Sequence, residues 1–535
     1  MSYFLIGIGG TGMRCIEAFT HLCAIGMFDN KEINILSIDT DTNNGNKGRS
    51  EQLIDRYLRI KGGTDAKPTA NTFFSAKLNI FKFAPEYSGN RGTYELISDL
   101  NLGTEENKAL SDLFFGQDVQ QFTLDHGYRA QTHLGSHLMY HCIVEAAKNV
   151  RDGRARNEDK QLSEFLDKIY QEGENARVFI LGSIFGGTGA SSIPIIPRAL
   201  RDAIRIKDQN AEIHPNAKFG CSLLTEYFGF NSPDPSQIKS EKVIADSNNF
   251  SRNSQAALMF YQADKTVKAT YKMMYHIGWP KKKDFSGPNS QSTVTGGGEQ
   301  KNSCHVTELL SACAAYDFFN RNEGLDQNDI VFKSADYSND SFNFKFQDFI
   351  GEAKTKEFMN KMGSFLAFSH IIINKEQGWK PEQSGALNLV RKFEEFKTPD
   401  YIYLPSQEAK DIDEFVKSFA FSYDSKENVI PGWLFQVRES IDGPFLFQTD
   451  SFSTNTRQLR DFHFGKIFNE EEHQFARKGK LGIGVGDPYQ VFIDTILKDT
   501  GVRPSAEKQK VERLNERFLA HTYNTLTKLF NIISN

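Results

Sequence analysis

The sequence predicts an α/β protein: a Rossmann-like parallel sheet first, then a buried central helix, then an α+β C-terminal domain. Three observations predict it. Tyr3-Phe4-Leu5-Ile6 enters the glycine loop Gly7-Ile8-Gly9-Gly10-Thr11-Gly12, and a helical stripe (Ile16, Phe19, Cys23) leaves it. Val178-Phe179-Ile180-Leu181 enters a second such loop, Phe185-Gly186-Gly187-Thr188-Gly189-Ala190-Ser191, again followed by a helical pattern (Ile193, Ile196, Leu200). Ile33 to Ile38 forms a strand between them, ending in Asp39-Thr40-Asp41-Thr42-Asn43-Asn44. Strand, tight glycine turn and helix start make an anion site, because glycines let backbone approach the ligand and helix N–H groups point at it. Open parallel sheets bind ligands at the carboxyl ends of their strands, where the acidic and amide groups of the 39–44 loop lie.

In chain order, the sheet domain spans 1–240, with 50–125 read as an insertion over the sheet edge. Gly127-Tyr128-Arg129-Ala130 precedes a helix from about Leu134 to Asn149, and Arg129 at its start could serve a phosphate or stand solvated. That helix carries His133, His137 and His141 on one face. No carboxylate lies at matching spacing, so no metal site is assigned there. Lys218 to Thr225 is a further strand, ending in Glu226-Tyr227-Phe228. Residues 241–265 form the central connecting helix, expected to be buried because its apolar residues wrap most of the way round. The C-terminal domain covers 266–535: a mobile loop over 283–298, strands near Ile330, Phe342, Ile371 and Phe445, a helix over 352–368 and a terminal helix over 505–533 that docks on its own domain.

Composition narrows the function. The 535 residues are 39% hydrophobic and 24% charged, with a net charge of −5, which gives no footprint for a polyanionic partner. Six scattered cysteines without a C-x-x-C pair read as thiols of a reducing compartment. A strand starts within two residues of Met1 and no apolar run reaches membrane-spanning length, so a cytoplasmic protein without membrane contact is expected.

Together the two glycine loops, the acidic loop and the helix between domains resemble the tubulin/FtsZ superfamily, in particular its divergent prokaryotic members, over roughly residues 1–320. Gly186-Gly187-Thr188-Gly189-Ala190-Ser191 is similar to the tubulin signature loop, one glycine short. Gly9-Gly10-Thr11-Gly12 is similar to its first phosphate loop, with Arg14 where FtsZ has asparagine, and Asp39, Asp41 and Asn43 fall in the counterpart of its second. By the same resemblance Arg129 and Ala130 belong to the γ-phosphate loop and Glu226 to the ribose side. Asn253 would read the guanine edge, for which Asn248 and Asn249 compete. The resemblance implies GTP/GDP with Mg²⁺, and a GTPase assembling head to tail as a homo-oligomer or filament. The Asn302 segment would complete the neighbour's site. Family acids fall two and five positions after that asparagine, where this chain has Cys304 and Thr307. His305 and Glu308 stand one residue later each, so either Glu308 orients the attacking water or hydrolysis is slow or absent.

Two other readings stay open. One is a non-polymerising nucleotide sensor that meets a protein partner through its C-terminal domain. The other is an NAD-binding oxidoreductase, for which Gly7-x-Gly9-x-x-Gly12 and Asp39 supply the fingerprint.

Overall fold

The computed structural model describes residues 2–41, 43–85, 105–115, 127–128, 130–229, 232, 245–279, 283–284, 298, 300–321, 324–325, 329–333, 349–373, 406–423, 429–434, 436 and 514–531. Its centre is a seven-stranded, wholly parallel sheet of β1 (Ser2–Ile8), β2 (Glu32–Ile38), β3 (Lys77–Phe83), β4 (Arg177–Ser183), β5 (Lys218–Leu224), β6 (Tyr271–Ile277) and β7 (Asp329–Lys333). The spatial order is β3-β2-β1-β4-β5-β6-β7. Ile6 of β1 faces Leu36 of β2 on one side and Ile180 of β4 on the other. The order reverses between β1 and β4, and such a switch point opens a crevice at the carboxyl ends of the two strands.

Helices cover both faces, which is why β1, β2, β4 and β5 are buried almost throughout. Alternate residues serve opposite layers. Phe4, Ile6, Val178 and Ile180 join the core under α4 (Thr132–Arg151), α5 (Asn157–Glu172) and α7 (Ile196–Lys207). Tyr3, Leu5, Phe179 and Leu181 face α1 (Gly9–Ala24), α2 (Gly45–Lys61) and α10 (Val306–Phe319). Between these run α3 (Glu105–Phe114), the short α6 (Thr188–Ser192), α8 (Phe250–Ala263) and α9 (Lys265–Thr270).

Of residues 50–125, the described part completes α2, supplies β3, the edge strand of the sheet, and holds α3. The central helix is corrected. The described helix in that region begins at Phe250, and only Phe250, Ser254 and Tyr261 are buried, with Met259 72% and Phe260 51% exposed. The buried helix is α10, every residue of which is buried. Its sequence is apolar on all sides, whereas Arg252, Asn253 and Gln255 give α8 a polar face.

The C-terminal elements form a further layer over α1, α2 and α10. They are α11 (Glu352–Ile373), α12 (Ser406–Ala420), the β8 (Phe421–Tyr423)–β9 (Val429–Pro431) pair and α13 (Leu514–Asn531). Phe365, Phe415, Trp433 and Leu526 belong to the same hydrophobic cluster as Phe19 and Leu309. His21 of α1 stacks on Phe419, with ring centroids 4.3 Å apart. Arg59 of α2 donates to both carboxylate oxygens of Asp411 on α12, at 3.0 and 2.9 Å. The strand near Ile330 is β7 of the main sheet, and Ile371 lies inside α11, not in a strand. The expected strands near Phe342 and Phe445, and most of the 283–298 loop, lie outside the described residues. Helix α13 docks on its own chain through Phe518, Leu519 and Leu526.

Candidate functional site

Four loops meet at the carboxyl ends of β2, β1 and β4. Gly9 sits at φ +65°, and a Cβ there would come 3.2 Å from Thr188 Cβ, so the first glycine loop lies directly against the central one. Gly127, at φ +72°, would place a Cβ 3.2 Å from Thr188 Oγ1 and 3.4 Å from Thr40 Oγ1. Left-handed backbone is sterically open to glycine and costly for other residues. Ala130 adopts it nonetheless, at φ +64°. Gly12 is held by space instead: a Cβ would lie 2.6 Å from the Leu181 carbonyl oxygen. The loops thus interlock on Thr188, each needing the others' lack of side chain.

They wall an open cleft at the carboxyl ends of these strands. Of the expected residues, Gly9, Gly10, Thr11, Asp39, Asp41, Ala130, Gly186, Gly187, Thr188 and Gly189 line it. The N-terminus of α1 opens here with no acidic residue in its first turn and no capping side chain on Ile8, so its first N–H groups are available to an anion. On the β2 side Asp39, 2% exposed, accepts a bond from Asp41 N at 3.1 Å through Oδ1, while Oδ2 is buried without a partner. Burial lifts this carboxyl to about 7, aided by the nearby Asp41 charge and opposed by the Asp41 N–H bond. Such an acid is held ready for a cation or a donor.

Gly12, Asn43, Ala190 and Ser191 buttress the walls from behind. Asn43 N donates to Asp41 Oδ1 (3.1 Å), Ser191 Oγ donates to Thr188 O (3.0 Å), and Tyr261 Oη donates to Ala190 O (3.1 Å). Arg129 lies outside the described residues.

Several expected positions do something else. Arg14 is 1% exposed and points into the core, paired with Glu17 and 3.6 Å from Glu308, its guanidinium 4.6 Å over the Trp433 ring. Burial pulls Arg14 down, but Glu17 and Glu308 outweigh it and hold the cation charged. It does not reach the cleft. Glu308 is fully buried: it accepts from Tyr227 Oη (2.8 Å), Trp433 Nε1 (3.1 Å) and His305 N (3.0 Å). With His305 it forms the capping box of α10. Burial raises the Glu308 carboxyl against the pull of Arg14. In this structure the Glu308 carboxylate is closed off from solvent and held as part of the cap, against the expectation that it orients an attacking water. Asn302 is likewise engaged within the chain, its N–H donating to Asn46 Oδ1 at 2.9 Å and its carbonyl accepting from Arg49 at 2.7 Å. Asn253 uses Nδ2 to hold the Phe185 carbonyl at 3.1 Å, and Glu226 accepts from Ser254 Oγ at 2.6 Å.

Asn44, Tyr128, Phe185 and Gln300 stand in segments that sequence reasoning singled out without assigning them a role, and Phe228 and Phe250 were missed; all six line the cleft. Asn44 carried a signal, since it caps α2 by accepting from Asn46 N and Lys47 N. Gln300 belongs to the segment that the resemblance would send to a neighbour's nucleotide; it lines the cleft of its own chain, its side-chain carbonyl accepting from Asn44 Nδ2 at 2.6 Å. Among the described residues, the cleft included, no group of three or more metal-binding side chains occurs, and no helix is long and apolar enough to cross a membrane. His137 and His141 lie with ring centroids 4.6 Å apart. None of the six cysteines is in a disulfide.

No family model matches this sequence, and no curated protein shows significant similarity to it.

Proposed function

We propose that this chain binds a nucleoside triphosphate with Mg²⁺ in the β1/β4 cleft, in the manner of the tubulin/FtsZ GTPases. One observation carries the proposal: two glycine loops and an uncapped helix N-terminus face, across one cleft, the buried Asp39 carboxyl group, whose Oδ2 has no hydrogen-bond partner. The amide-lined walls suit phosphate oxygens, and Asp39 with Asp41 suits a hard cation that would offset the charge between them. The cation would polarise the phosphates, while the chain's own groups orient them and exclude water. A dinucleotide bound at Gly7 to Gly12 would leave the central loop without a task.

Gln300 lines the cleft of its own chain, and Glu308 is engaged within the fold. This supports a nucleotide-dependent sensor with slow or no hydrolysis over a GTPase completed by a neighbour's 302–308 segment. The test is binding of GTP, ATP and NAD to the native chain and to Gly187→Asp. Position 187 has helical backbone (φ −84°), so an L residue there adds no backbone strain and sets a carboxylate into the glycine loop; circular dichroism of the variant checks its fold. Loss of triphosphate binding by at least about 100-fold is expected, an electrostatic cost of ~3 kcal/mol. NAD binding, or triphosphate binding indifferent to position 187, would overturn the proposal.

A further inference from the structure

A second pocket lies where the carboxyl end of α2 and the segment 62–76 meet α13. Helix α2 starts at the cleft with its cap Asn44 and runs 17 residues to Lys61. At roughly 1.5 Å per residue its two ends are about 25 Å apart, so this pocket is separate from the cleft. Its walls are mostly apolar, with Ile60, Phe73 and Phe74 from one part of the chain and Leu519 and Ala520 from α13. Lys61 also lines it, although the residue is only 6% exposed. Its Nζ donates to Thr69 Oγ1 at 2.6 Å and to Ser75 O at 2.9 Å. Among the described residues no carboxylate lies within ion-pair reach of this amine.

A neutral amine has two N–H donors and a lone pair, whereas an ammonium has three donors. Thr69 and Ser75 therefore satisfy the neutral form and leave its lone pair, while the charged form keeps one N–H without a protein acceptor. Burial pulls the amine down to about 8, against the opposing charges of Glu516, on the pocket wall, and Asp29. At about pH 7.5 roughly a quarter of such an amine is neutral, against about one in a thousand for an exposed lysine. We propose that Lys61 is a covalent ligand site, whose amine condenses with an aldehyde carrying an apolar body that fits between α2 and α13. The lone pair attacks the carbonyl carbon, and a nitrogen proton passes to the oxygen to give a carbinolamine. The second nitrogen proton follows, the C–O bond breaks, and water departs to leave an imine; nothing is oxidised or reduced. Thr69 Oγ1 also donates to Ser75 O at 3.3 Å, so that carbonyl keeps a donor when the amine protons leave. An uncharged aldehyde meets no like charge at Glu516, as a carboxylate ligand would.

The experiment is reductive labelling of the full chain with benzaldehyde and cyanoborohydride at about pH 7.5, read by peptide mass spectrometry. Lys61 should be labelled at least about tenfold faster than the exposed lysines. Glyceraldehyde, whose body is polar, should lose at least about fivefold of that preference. Ala520→Leu keeps a good helix former on α13, leaves Lys61 in place and fills the pocket. It should slow benzaldehyde labelling of Lys61 by at least about fivefold and leave the exposed lysines unchanged. Circular dichroism checks the fold of this variant; should it fail to fold, the comparison of the two aldehydes on the native chain decides. Labelling of Lys61 no faster than that of the exposed lysines overturns the proposal. Equal preference for the two aldehydes, or a folded Ala520→Leu labelled like the native chain, overturns it as well, since either would show a reactive amine without a ligand pocket.

Discussion

Asp39 is where a single side chain carries the most information. Burial holds its carboxyl at about 7, against about 3.9 for an unfolded aspartate. Between those values the folded chain keeps a proton that the unfolded chain has shed. The contribution to stability is therefore complete below about pH 4 and is lost as pH rises through 7. Its size is on the order of 4 kcal/mol. An amide in place of the carboxyl would carry no charge to desolvate. The melting temperature of ligand-free Asp39→Asn should therefore gain on that of the native chain from pH 5 to pH 8; a constant gap would show that Asp39 is not held neutral. This residue was legible in the sequence, because its place after an apolar strand and beside a glycine loop is a local fact. Its ionisation was not, because the burial that sets it comes from elements distant in the chain.

Among elements, α10 decides most. Its capping box is tied to α1 through Arg14, to the segment after β5 through Tyr227, and to the C-terminal layer through Trp433. Removing the cation leaves two buried carboxylates opposed to one another. Arg14→Met should cost about 3–5 kcal/mol in urea unfolding. Arg14→Met combined with Glu308→Gln should cost less than the sum of the two, a coupling expected of residues in one network. Strict additivity would place the two side chains outside a common cluster. The same elements show how far sequence patterns reach. Both glycine loops and the strands that feed them were recognisable from short apolar runs and turn residues. The identity of the buried helix was not. The run Ala256-Ala257-Leu258-Met259-Phe260 suggests burial by composition, yet Met259 and Phe260 face outward. Helix α10 itself was legible, with Val306, Leu309, Leu310 and Cys313 at helical spacing; its place as the buried one was not. Local periodicity identifies a helix, but only the sheet order shows which helix lies beneath it.

At the scale of the whole molecule, the C-terminal layer and the sheet's helical face share one hydrophobic cluster. Heat unfolding should accordingly be a single transition, coincident by far-ultraviolet circular dichroism and tryptophan fluorescence. Residues 1–348 expressed alone should bind a hydrophobic dye and lack a cooperative transition; a cooperatively folding fragment would mark a true domain boundary there. The stacking of His21 on Phe419, with Trp433 beside it, has a consequence for synthesis. Roughly 400 residues separate His21 from Trp433, and a ribosome working at about 5–20 residues per second takes roughly 20–80 s to make them. The first glycine loop thus emerges early, on a helix whose outer face stays bare until nearly the last fifth of the chain arrives. During that interval the nascent protein must keep an aromatic-seeking surface out of reach of its neighbours on the polysome.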